Sequence, residues 1–96
     1  MLITKGVAAG EVITLKLTSG EELVARLSEE TDSHYVLNNT RVIGMGQQGP
    51  GFMPYLFTVD PEKDIRLVKS TVTVAEPTDE SLAKQFIEST SGIKLA

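Results

Sequence analysis

The chain has one histidine, His34, and no cysteine. Acid–base work or metal binding at His34 would need partner side chains, and no His/Cys pair or His-Glu-x-x-His spacing supplies them. Carboxylates are plentiful at Glu29, Glu30 and Asp32 and again at Asp60, Glu62 and Asp64. Both groups fall among Pro, Ser and Thr, where solvated turn charge is the plainer reading than a paired acid–base couple. Neither has the central Gly and terminal bidentate Glu of a calcium loop. Gly44-Met45-Gly46-Gln47-Gln48-Gly49 spells G-x-G-x-x-G, but a dinucleotide site needs its third Gly to open a helix whose amides hold the pyrophosphate. Here Gly49 runs into Pro50-Gly51-Phe52-Met53-Pro54, which cannot be helical. The absence of cysteine also removes disulfides and thiolate chemistry. No enzyme activity, cofactor or metal site is therefore expected, and the chemistry that remains is recognition.

The residues left for recognition depend on the elements that carry them. Val12–Thr18 alternates, with Ile13, Leu15 and Leu17 on one face and Thr14, Lys16 and Thr18 on the other. Period two with β-branched residues predicts a half-buried strand. Ser19-Gly20 supplies a turn, and Leu23, Ala25 and Leu27 continue the pattern as the second arm of a hairpin. Asp32 ends this second strand. His34 and Tyr35 open a third, running to about Ile43, with Asn38 and Asn39 along it. The glycine-rich stretch 44–51 reads as a mobile connection, Phe52–Val59 as a fourth strand, and Asp60–Asp64 as a turn. Ile65–Glu76 reads as a last strand interrupted near Lys69 and Ser70. From Pro77 the period changes. Thr78 offers a capping hydroxyl, Asp79 and Glu80 favour the positive end of a helix dipole, and Leu82, Ala83, Phe86 and Ile87 form an apolar stripe over a helix of about 78–91. Gly92 is the expected C-cap. The fold class is mainly β, a single domain over 1–96: a small, strongly bent five-stranded antiparallel sheet with a C-terminal helix.

Composition agrees with one modest aliphatic core. The chain has 96 residues, 41% hydrophobic and 23% charged, with aromatics at only 5% and no Trp. Net charge is −4, and residues 1–48 and 49–96 each carry −2 (4 basic against 6 acidic residues, then 5 against 7). Such a balance lacks the broad positive field behind sequence-independent nucleic-acid binding. The opening MLITK reaches Lys5 too soon for a signal-peptide core, and no apolar run approaches the ~20 residues of a membrane span. Cytoplasm is the expected location.

The stretch ITLKLTSGEELVARLSEETDSHYVLNN, from Ile13 to Asn39, resembles the first motif of the Sm-like (LSm/Hfq) family. RLVKSTVTVAEP, from Arg66 to Pro77, resembles its second. More loosely, the chain is similar to short Sm-like proteins of marine cyanophages, which also place a helix after the last strand. The resemblance implies a five-stranded SH3-type barrel whose copies join edge to edge into rings of about five to seven subunits. It also implies single-stranded, often U-rich RNA bound near the pore, in host cytoplasm for a phage-encoded chain. Carried over by position, Asp32 would orient the loop, His34 or Tyr35 would stack on a base, and Lys69 would meet phosphate or base edges beside Ser70. Asn38 and Asn39 are the asparagines nearest to the one the family places after its Asp, and Lys69-Ser70 stands where the family usually has Arg-Gly. Tyr35 reads equally as a core residue and Lys69 as a solvated turn charge. Two functions follow: an RNA-binding ring whose modest sites add by multivalency, and a structural ring that binds protein partners and no nucleic acid.

Overall fold

The computed structural model describes residues 7–47 and 49–90. Six strands form one antiparallel sheet: β1 Val12–Leu17, β2 Glu22–Glu30, β3 His34–Gly46, β4 Gly49–Pro54, β5 Ile65–Val68 and β6 Val72–Pro77. One helix, α1, spans Glu80–Thr90. The strand order is β4-β3-β2-β1-β6, with β5 paired to β3. The expected five-stranded barrel is corrected on both points, since among the described residues the strands number six and the sheet does not close. A 3₁₀ turn at Lys69–Thr71 splits the expected last strand, so that β5 lies on β3 while β6 crosses to β1.

The hairpin of β1 and β2 forms as the alternation predicts, with Ile13 opposite Ala25 and Leu15 opposite Leu23. Gly20, at φ +106°, makes the turn, and its amide donates to the Leu17 carbonyl at 2.9 Å. Ile13, Leu15, Leu17, Leu23, Ala25, Leu27 and Leu37 are the buried core of one sheet face, and Tyr35, Ile65, Leu67 and Ala75 pack against it.

The stretch 44–51 is not a loose connection. Gly44 lies opposite Gly51 and Gly46 opposite Gly49, so the glycines extend β3 and β4 as a two-stranded ribbon. Gly49 takes the positive φ, +105°, next to the turn. It opens a strand rather than a helix. The expected fourth strand shifts accordingly, ending at Pro54 rather than Val59.

Helix α1 starts on Asp79 rather than on the Thr78 hydroxyl. Asp79 Oδ2 accepts from the Leu82 amide at 3.3 Å and the Ser81 hydroxyl at 2.6 Å, while Thr78 Oγ1 pairs with Thr14 Oγ1 at 2.9 Å. Those bonds, the Ser81 hydroxyl first, hold the Asp79 carboxyl below its ordinary value. Of the apolar stripe only Phe86 is fully buried, and its ring meets Phe52 of β4 edge to face at 6.0 Å and 78°. The helix thus lies on the sheet, on the face opposite the main core, and Gly92 falls outside the described residues. Truncating Phe86 to Ala should cost about 3–5 kcal/mol of stability in urea unfolding. A loss below about 1 kcal/mol would mean that α1 is not docked.

Candidate functional site

Thirteen residues long, β3 changes partner along one edge: β5 pairs with its first half, His34–Leu37, and β4 with its second, Arg41–Gly46. Between them sits Asn39 at φ +56°, a left-handed conformation that Asn tolerates better than most residues. Here the register of β3 against β2 slips by one, between Arg26 opposite Asn38 and Val24 opposite Arg41. Such a bulge bends the strand. Asn38 Nδ2 donates to the Glu62 carbonyl at 2.6 Å and to Asp64 Oδ1 at 3.1 Å, and the Asn39 amide donates to the Pro61 carbonyl at 2.9 Å. Both asparagines therefore tie the 60–64 turn to the bend.

Pairing with β5 assembles the rest. His34 lies opposite Val68 and Tyr35 opposite Leu67, and the Lys69 amide donates to the Ser33 carbonyl at 2.9 Å. Lys69 is thereby fastened to the turn between β2 and β3. Its Nζ sits 5.1 Å from the centroid of the Tyr35 ring, within cation–π range, and 2.6 Å from Glu30 Oε2. Glu30 is the residue directly opposite Tyr35 across β2 and β3. Both ends of the ion pair remain partly exposed, at 29% for Lys69 and 39% for Glu30.

Of the seven residues singled out in the sequence, Asp32, His34, Tyr35, Lys69 and Ser70 share this end of the sheet. Asn38 and Asn39 lie beyond it, three and four residues past Tyr35, or about 10–13 Å along an extended strand. Thr31 braces the loop, its Oγ1 accepting from the Ser33 amide at 3.3 Å and the His34 amide at 3.0 Å. His34 Nδ1 pairs with Ser33 Oγ at 2.7 Å. Tyr35 packs against the core cluster, and its ring receives the Lys69 ammonium. Glu30, read from the sequence as solvated turn charge, and Thr31 were not among the residues singled out for the site. Thr31 carries a usable signal, a hydroxyl at the head of a short polar turn, whereas Glu30 meets Lys69 across 39 residues and has none.

Charge at this end is mixed. The Glu30 hydrogen bond, opposed in part by desolvation, raises the Lys69 pKa above the ordinary lysine value, and the charges of Glu30, Tyr35 and Asp32 add to it. Among the described residues no group of three His, Asp or Glu side chains converges as a metal site, and no helix is long and apolar enough to cross a membrane. Comparison with protein-family models and with curated proteins finds no match to the chain.

A group with a raised folded-state pKa stabilises below its unfolded value and loses that contribution as pH climbs through the folded one. A Lys69→Met variant should therefore be less stable than the parent at neutral pH, and the gap in urea midpoints should close in strongly alkaline solution. A gap that persists there would assign the loss to packing rather than to the charge.

Proposed function

We propose that the chain is an Sm-like assembly module: copies pair edge to edge into a ring, and each copy contributes His34, Tyr35 and Lys69 to a single-stranded RNA contact. The observation that carries this reading is the chemistry of the strand edges that no described residue pairs with. Tyr55 donates its amide to the directly opposite Thr40 carbonyl at 3.5 Å. Hydrogen-bonded and non-bonded pairs alternate in an antiparallel ladder, so Pro50, Phe52 and Pro54 turn their backbone outward. Two of those three positions have no N–H. The outer edge of β4 is thus blunted against strand pairing.

The outer edge of β5 carries no proline, and that of β6 carries one only at its end, Pro77. The Lys69–Ser33 and Thr78–Val12 bonds set the phase of their ladders. By the same alternation Arg66 and Val68 of β5, and Ala75 of β6, present outward backbone groups. Two complementary edges on one chain favour head-to-tail pairing, β5 of one copy with β6 of the next, which closes into a ring when the rotation permits. The turn Lys69–Thr71 joins these two strands, so in such a ring every Lys69 lies beside a junction. Sites too weak alone would then act together, with a base stacked on an aromatic ring contributing ~1–3 kcal/mol.

A second reading, a ring that binds protein and no nucleic acid, is favoured by one observation: Lys69 is already paired with Glu30, beside Glu29 and Asp32.

Native mass measurement tests the assembly. The parent should be a ring-sized oligomer, Arg66→Pro should be a folded monomer because it removes an outward N–H from an edge strand, and Arg66→Ala should still assemble. A monomeric parent would sink the proposal. Titration with an oligouridylate tests the contact: binding that weakens with salt and is lost in Lys69→Ala supports RNA, and no binding at micromolar protein supports the protein-binding ring.

A further inference from the structure

We infer that Glu30 is a built-in competitor for the anion that Lys69 would otherwise bind, so that its carboxylate sets how strongly this end of the sheet holds a nucleic-acid phosphate. The inference rests on the RNA reading above and adds a residue that neither the motifs nor the charge balance singles out. It starts from the ladder register. Glu30 and Tyr35 are direct cross-strand partners, so the carboxylate and the ring project from neighbouring positions on β2 and β3. Lys69 is fastened to the same turn through its own amide and the Ser33 carbonyl. The ammonium is therefore delivered to one place, between a carboxylate oxygen at 2.6 Å and a ring centroid at 5.1 Å.

An ammonium has three donors and one unit of charge. A carboxylate oxygen at hydrogen-bond distance occupies one of those donors and cancels the charge locally. A phosphate oxygen arriving at Lys69 must displace that oxygen or share the ammonium with it, and either lowers the net gain. Both partners are partly exposed, so the exchange is open to solvent and to a ligand. An exposed pair is also weak enough to be displaced. Glu29 provides the comparison within the molecule: it is the preceding residue on β2, it lies opposite Val36 rather than Tyr35, and it carries the same charge.

The test measures binding of a fluorescein-labelled oligouridylate to the assembled protein across a salt series, with native mass confirming that each variant keeps the parent's oligomeric state. Glu30→Gln should bind about two- to five-fold more tightly per site, the size expected for release of an exposed ion pair. Its affinity should also fall more steeply with salt, by about 0.7 in log–log slope for each lysine freed to meet a single strand. Glu29→Gln, with the same change in net charge, should leave both quantities near the parent's. Adding Lys69→Ala to Glu30→Gln should abolish the gain. Equal effects of the two glutamine variants would overturn the inference while leaving the RNA contact standing, because the gain would then be a matter of overall charge. Failure of the parent and of Glu30→Gln alike to bind would overturn the RNA reading, and the competitor role with it.

Discussion

One strand must serve two partners on a single edge, and the rest of the molecule follows from how it does so. A straight β3 would present one continuous edge to one neighbour. With Asn39 in the left-handed region and an extra residue in the ladder, the strand bends, and its two halves face different neighbours. The first half takes β5 and the second takes β4. Because β5 is only four residues long and leads at once into the 3₁₀ turn, the bend also decides where Lys69 lands. Asn38 and Asn39 secure the bend from outside by bonding the 60–64 turn. They hold the strand that carries Tyr35.

The same bend leaves the sheet open, and an open sheet has edges to manage. The glycine ribbon at the far end of β3 has little side-chain bulk to discourage pairing, and Met45 and Met53 on it are 78% and 51% exposed. Prolines at two of the three outward positions of β4 limit that hazard where side chains do not, because the outward positions are the ones a proline can occupy without loss to the inner ladder. No proline protects the outward positions of β5. On β6 only the terminal Pro77 does. The contrast is physical rather than compositional, since it depends on which parity each proline falls on.

How much of this was legible in advance depends on whether a side chain carried the signal. Ile13, Leu15 and Leu17 alternate with polar residues, and burial on one face rewards that pattern whatever lies opposite, so β1 and β2 could be read directly. Phe86 could be read as apolar but not as the sole buried residue of its helix, because burial there is set by Phe52 on a distant strand. Gly44, Gly46, Gly49 and Gly51 have no side chain to alternate, and their pairing is a backbone event that no side-chain pattern announces. The interruption of the last strand near Lys69 and Ser70 was legible from the sequence, but not that its two halves pair with different strands, β5 with β3 and β6 with β1. Within the candidate site, His34, Tyr35 and Lys69 were legible as types. Glu30 was hidden because its partner lies 39 residues on, in the 3₁₀ turn between β5 and β6, and a charge in a polar turn looks the same with or without one.

Electrostatics then limit what such a site can do. The chain carries −4, so the long-range field opposes a polyanion, and attraction must come from within a few ångströms, where a single ammonium outweighs charges screened beyond a Debye length of about 8 Å. At that range the nearest carboxylate matters more than the net count. Glu30 joins β2 to the 3₁₀ turn by the same contact that occupies the lysine, so an anion bound at Lys69 would draw on the ammonium that also serves this joint. A monomer with this arrangement would hold a phosphate poorly. Repetition changes the balance, because the cost of loosening each weak pair is met separately at each site while the ligand strand is localised only once. Assembly through β5 and β6 is accordingly the condition under which Lys69, Tyr35 and His34 would work as a binding surface rather than as a latch on a turn.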